Sequence, residues 1–328
     1  MNSLVIEITN HCNFSCKHCS RDKAGERIHM PLEMFQEVAE QAVSLGIRDI
    51  CITGGEVLLY PWLEEAIDII SYNDMGLSIV TNAYLFKERL LGILEKNKNI
   101  DVCISLDGAN ESQHDFFRNK DGSFMAAIEA LALCNQLGVD VSLKMAVWSG
   151  VKDSILRMAT LGLSYSSQVG LIILTPTPNL IREGLIPSPQ EYEDIINNIK
   201  RRIMPALPGV DIEGICDRST PVPLCNPFYS GLNIDYKGDM VFCCNLSNVT
   251  GKRKENSFYI GNIKDMDLDQ AFVKHMRLCS KFITGMIEKP ASIWERSCFF
   301  CMARFGLMEW LKDLESPWRE LLWTNPPS

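Results

Sequence analysis

Along residues 1–204, short β-branched apolar runs alternate with longer stretches whose apolar positions recur at helical spacing. Leu4–Thr9, Asp49–Thr53, Leu77–Thr81, Asp101–Leu106, Val139–Val147 and Val169–Leu174 read as strands. Pro31–Leu45, Tyr60–Tyr72, Leu85–Glu95, Ser123–Leu137, Ser154–Leu161 and Pro189–Met204 read as helices. Pro31 opens the first helix, Gly46 lies just past its end, and Gly138 closes another. Strand and helix alternate six times, which predicts a parallel sheet with crossover helices. The expected fold is α/β, a partial (β/α)6 TIM-like barrel, with its functional loops at the carboxyl ends of the strands.

The pattern then changes. Pro205, Pro208, Pro221 and Pro223 mark a linker over 205–224. Beyond it, Gly231–Tyr236 and Asp239–Phe242 alternate as a hairpin turned at Lys237-Gly238-Asp239, and a helix is expected from about Leu268 to Ile287. The expected organisation is a barrel over 1–204, the linker, a small hairpin-plus-helix domain over 225–305, and a C-terminal helix and tail over 306–328.

The densest chemistry follows the first strand, where Cys12, Cys16 and Cys19 share one loop. Three thiolates can hold three irons of a cubane cluster and leave the fourth open. A zinc loop is the other reading, although zinc prefers paired C-x2-C knuckles with four ligands. Thr53-Gly54-Gly55-Glu56 follows the second strand, Thr81-Asn82-Ala83 the third, and Ser105-Leu106-Asp107-Gly108 the fourth. The glycines allow close approach to the backbone. Glu56 offers an acceptor for an ammonium group. Ser105 and Asp107 could equally cap the following turn. Lys144 lies inside the fifth strand, where a buried parallel strand is normally apolar.

C-x3-C-x2-C just after a first strand resembles the signature of the radical S-adenosylmethionine (radical SAM) superfamily. The resemblance implies that the open iron chelates the amino and carboxylate groups of S-adenosylmethionine. It also implies that an electron splits the sulfonium to give a 5′-deoxyadenosyl radical. Gly54, Gly55 and Glu56 are similar to the family's GGE motif, which grips the methionine amino group. Asn82 falls in a segment similar to T-N-G, with Ala83 a departure. Ser105 and Asp107 match the S-x-D-G segment that approaches the ribose and methionine carboxylate. His114-Asp115 and Arg118 continue a pattern often seen after it, as fit for packing as for function. His18 stands where the family usually has an aromatic residue whose backbone contacts adenine.

A second cysteine set comprises Cys225, Cys243, Cys298 and Cys301. Four thiolates would saturate a second 4Fe–4S cluster, with a structural zinc site as the alternative. This region resembles the auxiliary-cluster extension called SPASM, in its shorter single-cluster twitch form. Cys51, Cys103, Cys134, Cys216, Cys244 and Cys279 remain, and buried cysteines commonly act as small hydrophobes. Cys244 differs, because it adjoins Cys243 and leaves the hairpin on the opposite face. Certain twitch-type epimerases have such a vicinal pair, in which the second thiol quenches the substrate radical.

Composition narrows the partners. The 13 cysteines without a signal peptide read as cytosolic thiols and metal ligands, so a cytoplasmic location is expected. With 32 basic and 41 acidic side chains, net charge is −9, which disfavours nucleic acid. No basic run is longer than Lys252-Arg253-Lys254, and no apolar stretch reaches the roughly 18 residues of a membrane span. Three readings follow: an epimerase with Cys244 as hydrogen donor, a dehydrogenase or crosslinking maturase whose auxiliary cluster accepts an electron, and a zinc-binding scaffold. The family resemblance implies a peptide or a small molecule such as an aminosugar as substrate. It also implies a reducing protein such as flavodoxin or ferredoxin. The chain begins at the first strand, so an N-terminal peptide-recognition domain is not expected. Trp310, Trp318 and Trp323 are expected to pack the last helix onto the barrel.

Overall fold

The computed structural model describes residues 3–19, 25–97, 99–215, 231–247, 257–287 and 298–324. Cys216, Pro221, Pro223, Cys225 and Lys252-Arg253-Lys254 lie outside the described residues, as does the side chain of Trp323. Seven parallel strands run in sequence order: β1 (Ser3–Thr9), β2 (Asp49–Gly54), β3 (Gly76–Thr81), β4 (Ile100–Ser105), β5 (Val141–Val147), β6 (Gln168–Ile173) and β7 (Val210–Glu213). Helices cross between them, as in the α/β partial barrel expected. Three further strands, β8 (Asn233–Ile234), β9 (Asp239–Val241) and β10 (Tyr259–Asn262), extend the same sheet past β1, in the order β10-β9-β8-β1.

Strand register sorts the residues onto two faces. Ile6, Ile52, Ile79, Ile104 and Leu143 point one way and are fully buried. They form one core with Phe35, Val38, Leu63 and Leu131 from the crossover helices. The opposite, inner face carries Val5, Glu7, Cys51, Ser78, Cys103 and Lys144. A parallel sheet covered by helices on one side and polar on the other leaves its polar side for the barrel interior.

Two elements were not legible in the sequence pattern. β7 lies within the stretch expected to be a linker, so the barrel has seven parallel strands rather than six. Its Val-Asp-Ile-Glu pattern does alternate, but the run is short and follows Pro205 and Pro208. The helix Glu111–Arg118 begins where the Asn110 side chain accepts from the Gln113 amide, and ends at Asn119, whose φ is 52°. The expected Leu85–Glu95 helix kinks at buried Leu90, giving Phe86–Arg89 and Leu91–Lys96.

The hairpin forms as read. β8 and β9 pair antiparallel, with Gly238 at φ 83° in the turn. β8 also pairs in parallel with β1, which ties the hairpin to the barrel. At the C-terminal end, Trp318 is buried against Tyr192 and Phe299, and its Nε1 donates to the Pro187 carbonyl at 3.1 Å. Among the described residues, no helix is long and apolar enough to cross a membrane.

Candidate active site

Cys12, Cys16 and Cys19 occupy the loop at the carboxyl end of β1. Asn10 anchors its start: its amide side chain binds the Glu26 carbonyl at 2.8 Å and the Ile28 amide at 2.7 Å. The Phe14 amide donates to Cys12 Sγ at 3.4 Å. Cys16 is buried, while Cys12 and Cys19 are half-buried. Burial pushes the Cys12 thiol up to about 11, and Glu56, Cys16 and Cys19 add to the rise. The three sulfurs are thus near enough to feel one another's charge. Among the described residues, no three His, Cys, Asp or Glu side chains converge to hold a single metal ion. A tetrahedral zinc ion needs such convergence, whereas a cubane takes each thiolate on a separate iron.

The glycine motif presses directly on this loop. The Gly55 amide donates to the Thr9 carbonyl at 2.7 Å, and the Glu56 amide to the His11 carbonyl at 2.8 Å. A Cβ on Gly54 would lie 2.4 Å from the Thr9 oxygen, and one on Gly55 would lie 2.2 Å from the His11 oxygen. The space that these glycines leave is filled by the cysteine loop's own backbone. Glu56 is buried, and its carboxylate accepts from the Leu58 amide (3.1 Å), the Thr81 hydroxyl (2.6 Å) and the Asn82 amide (2.8 Å). Burial raises its pKa despite these bonds. A carboxylate has about four acceptor sites, so one remains. Asn82 in turn donates to Asn13 Oδ1 at 2.8 Å, joining the β3 end to the cysteine loop. Ala83 takes φ 61°, the left-handed conformation that glycine supplies in the T-N-G pattern.

Asp107 is turned inward. Its Oδ1 accepts from the Ala146 amide at 2.7 Å, and its Oδ2 lies 2.6 Å from Arg118 Nε. Although burial opposes ionisation, Arg118 outweighs it and holds this carboxyl below the usual carboxylate range. Arg118 is buried too, and its Nη1 lies 3.9 Å from Cys16 Sγ. Burial works against the guanidinium, but Asp107 and Cys16 raise its pKa. His114 Nδ1 accepts from the Asp107 amide at 3.0 Å, which leaves the proton on Nε2. Burial, helped by Arg118, lowers His114 to about 4. His18 stacks on Phe117 at 5.1 Å, and Phe117 on Trp148 at 4.5 Å. Sequence reasoning left Arg118 undecided between packing and function; the structure brings it to a cysteine of the first loop.

Lys144 and Glu213 form an ion pair on the inner face. Burial would lower the Lys144 pKa, but Glu213 more than offsets it, so the pKa is raised. Ser105, the register partner of Lys144, is on the same face. The hairpin reaches this face through Glu7, which is fully buried and accepts from Asn233 Nδ2 at 3.2 Å and from the Ser247 hydroxyl. Ser247 Oγ also lies 2.8 Å from the Cys244 carbonyl oxygen, sharing its one hydrogen between the two acceptors. Cys243 and Cys301 pack on one small core with Val241, Phe242 and Phe258. Asn245 Nδ2 lies 3.4 Å from Cys298 Sγ. Cys243 and Cys301 thus border one small core and Cys298 lies beside Asn245 of the neighbouring turn, while Cys225 lies outside the described residues. Cys103, Cys134 and Cys279 are buried, in keeping with their reading as small hydrophobes.

Residues 6–161, a little under half of the chain, match the profile of the Radical SAM superfamily. It is 31% identical over 146 residues to the antilisterial bacteriocin subtilosin biosynthesis protein AlbA of Bacillus subtilis, across 44% of this chain and 33% of AlbA. It is 27% identical over 177 residues to the mycofactocin maturase MftC of Mycolicibacterium smegmatis, across 53% of this chain and 45% of MftC. The chain thus spans less than half the length of these curated relatives. The crystal structure of Streptococcus suis SuiB bound to S-adenosylmethionine superposes with a TM-score of 0.67 at 17% identity, across 96% of this chain and 75% of SuiB. At that identity the likeness establishes the fold.

Proposed function

We propose that this chain is a radical SAM enzyme that modifies a peptide. In this reading Cys12, Cys16 and Cys19 hold a 4Fe–4S cluster with one iron left for S-adenosylmethionine. The observation that carries it is the three-thiol loop, pressed against Gly54-Gly55-Glu56 and faced by the Arg118 guanidinium. When bound, the cluster and S-adenosylmethionine supply a 5′-deoxyadenosyl radical that takes hydrogen from a C–H bond. The chain's own residues do the rest. Glu56 offers its remaining acceptor site to an ammonium group. Gly54, Gly55 and Asn82 fix the loop that faces it. Arg118 balances negative charge at Cys16, and Asp107 orients Arg118. Ser105 borders the inner face where substrate enters.

The finer reaction we propose is epimerisation. The turn carrying Cys244 is pinned to the inner face through Ser247 and Glu7, where its S–H can return hydrogen to a carbon radical. A peptide substrate is favoured over an aminosugar because relatives include a bacteriocin biosynthesis protein and the PqqA peptide cyclase of Gluconobacter oxydans. A flavodoxin- or ferredoxin-type protein would supply the electron. In the proposed second site, Cys225, Cys243, Cys298 and Cys301 hold an auxiliary cluster.

The placement of Cys243, Cys298 and Cys301 beside the hairpin also favours a second reading. An auxiliary cluster there could accept the substrate radical's electron, giving a dehydrogenase or crosslinking maturase. Anaerobic reconstitution, S-adenosylmethionine cleavage with candidate precursor peptides, and product analysis in D2O test both. Deuterium at an inverted carbon, lost in Cys244→Ala while 5′-deoxyadenosine still forms, supports epimerisation. Epimerised product from Cys244→Ala refutes it.

A further inference from the structure

The inner face holds thiols that the reading above leaves unused. Cys51 sits in β2 as the register partner of Val5, so its side chain shares that face with Glu7, two residues along β1. Glu7 is also where Ser247 docks, and Ser247 holds the Cys244 carbonyl. The turn bearing Cys244 is therefore pinned over the part of the inner face that presents Cys51. Beyond burial, Cys103 and then Cys244 disfavour ionisation of Cys51, so the Cys244 charge reaches it across this face. Burial is the largest cause, and Cys51 is pushed up to about 12. At neutral pH it is an S–H group on the face over which the turn bearing Cys244 is pinned.

A thiol that gives a hydrogen atom to carbon is left with an unpaired electron and must be restored. We propose that Cys51 is a second redox thiol, which closes a disulfide with Cys244 after Cys244 has donated hydrogen. The proposal rests on the Cys244 reading above.

The step balances as follows. The Cys244 S–H bond breaks and its hydrogen joins the substrate carbon. The Cys244 sulfur radical then bonds to the Cys51 sulfur as the Cys51 proton leaves to water. The resulting three-electron bond gives one electron to an oxidised 4Fe–4S cluster, of the kind proposed above for this chain, and a neutral disulfide remains. Two thiols have lost one hydrogen atom, one proton and one electron. An external dithiol reopens the pair for the next turnover.

The test uses the full chain, reconstituted anaerobically, with alkylation and non-reducing peptide mapping as the readout. Diamide is expected to join the Cys51 and Cys244 peptides in the wild type, and to leave them separate in Cys51→Ser and in Cys244→Ser. A single round with S-adenosylmethionine and a precursor peptide in D2O, without added dithiol, is expected to give the same linkage in step with deuterium at the inverted carbon. Deuterium at that carbon with both thiols still open to alkylation overturns the proposal and leaves the Cys244 reading standing. Absence of deuterium there overturns the Cys244 reading, and the proposal with it.

Discussion

Arg118 bridges Asp107 and Cys16: its Nε lies 2.6 Å from Asp107 Oδ2, and its Nη1 lies 3.9 Å from Cys16 Sγ. All three residues are buried, so the guanidinium is the local counter-charge for both a carboxylate and a thiol. Removing one partner of a buried ion pair strands the other. Arg118→Met is expected to destabilise the fold by about 3–5 kcal/mol, read by denaturant unfolding. Arg118→Lys keeps the charge but loses the fork geometry, and is expected to cost less. In reconstituted protein that stays folded, loss of the positive charge beside a ligand thiolate makes the cluster harder to reduce. The midpoint potential of Arg118→Met should therefore be more negative than wild type in a redox titration.

Gly55 is tested by alanine. Its new Cβ would lie 2.2 Å from the His11 carbonyl oxygen, a rigid backbone atom. The β2 end must then move away from the cysteine loop. Gly55→Ala is expected to cost at least ~2 kcal/mol and to lower the iron retained after reconstitution. Wild-type iron content and unfolding midpoint would contradict the role given to this contact.

The first cysteine loop, the GGE turn and the hairpin were legible because each is encoded in a few adjacent residues. Cys12, Cys16 and Cys19 fall within one loop, and Lys237-Gly238-Asp239 carries its own turn chemistry. β7 was hidden because four residues alternating beside prolines read as linker. The Arg118–Cys16 contact joins positions far apart in sequence, which no local spacing encodes. The glycines were read as room for a ligand. The structure shows their space taken by Thr9 and His11, which only tertiary packing could reveal.

His114 sets a pH dependence. Its folded pKa is lowered to about 4, below the ordinary histidine value of about 6.5, so between these values the unfolded chain binds more protons than the native one. Stability therefore falls as pH drops from about 6.5 towards 4, by up to ~3 kcal/mol. Unfolding midpoints across this range should show a shallower slope in His114→Gln than in wild type.

Glu7 carries the link between hairpin and barrel. Glu7→Ala leaves Asn233 and Ser247 without this acceptor, a buried loss of about 1–3 kcal/mol. The turn bearing Cys244 would then lose its hold on the inner face. Folded Glu7→Ala protein is expected to form 5′-deoxyadenosine while incorporating less deuterium at the inverted carbon.

The account stands on an iron that no side chain ligates in the Cys12–Cys19 loop. Electron paramagnetic resonance of the reduced, reconstituted protein, recorded with and without S-adenosylmethionine, addresses it most directly. The predicted result is a 4Fe–4S signal that shifts on adding S-adenosylmethionine and vanishes when Cys12, Cys16 and Cys19 are all replaced by alanine. Absence of any 4Fe–4S signal that shifts with S-adenosylmethionine, or a shift that persists after that triple replacement, would contradict it.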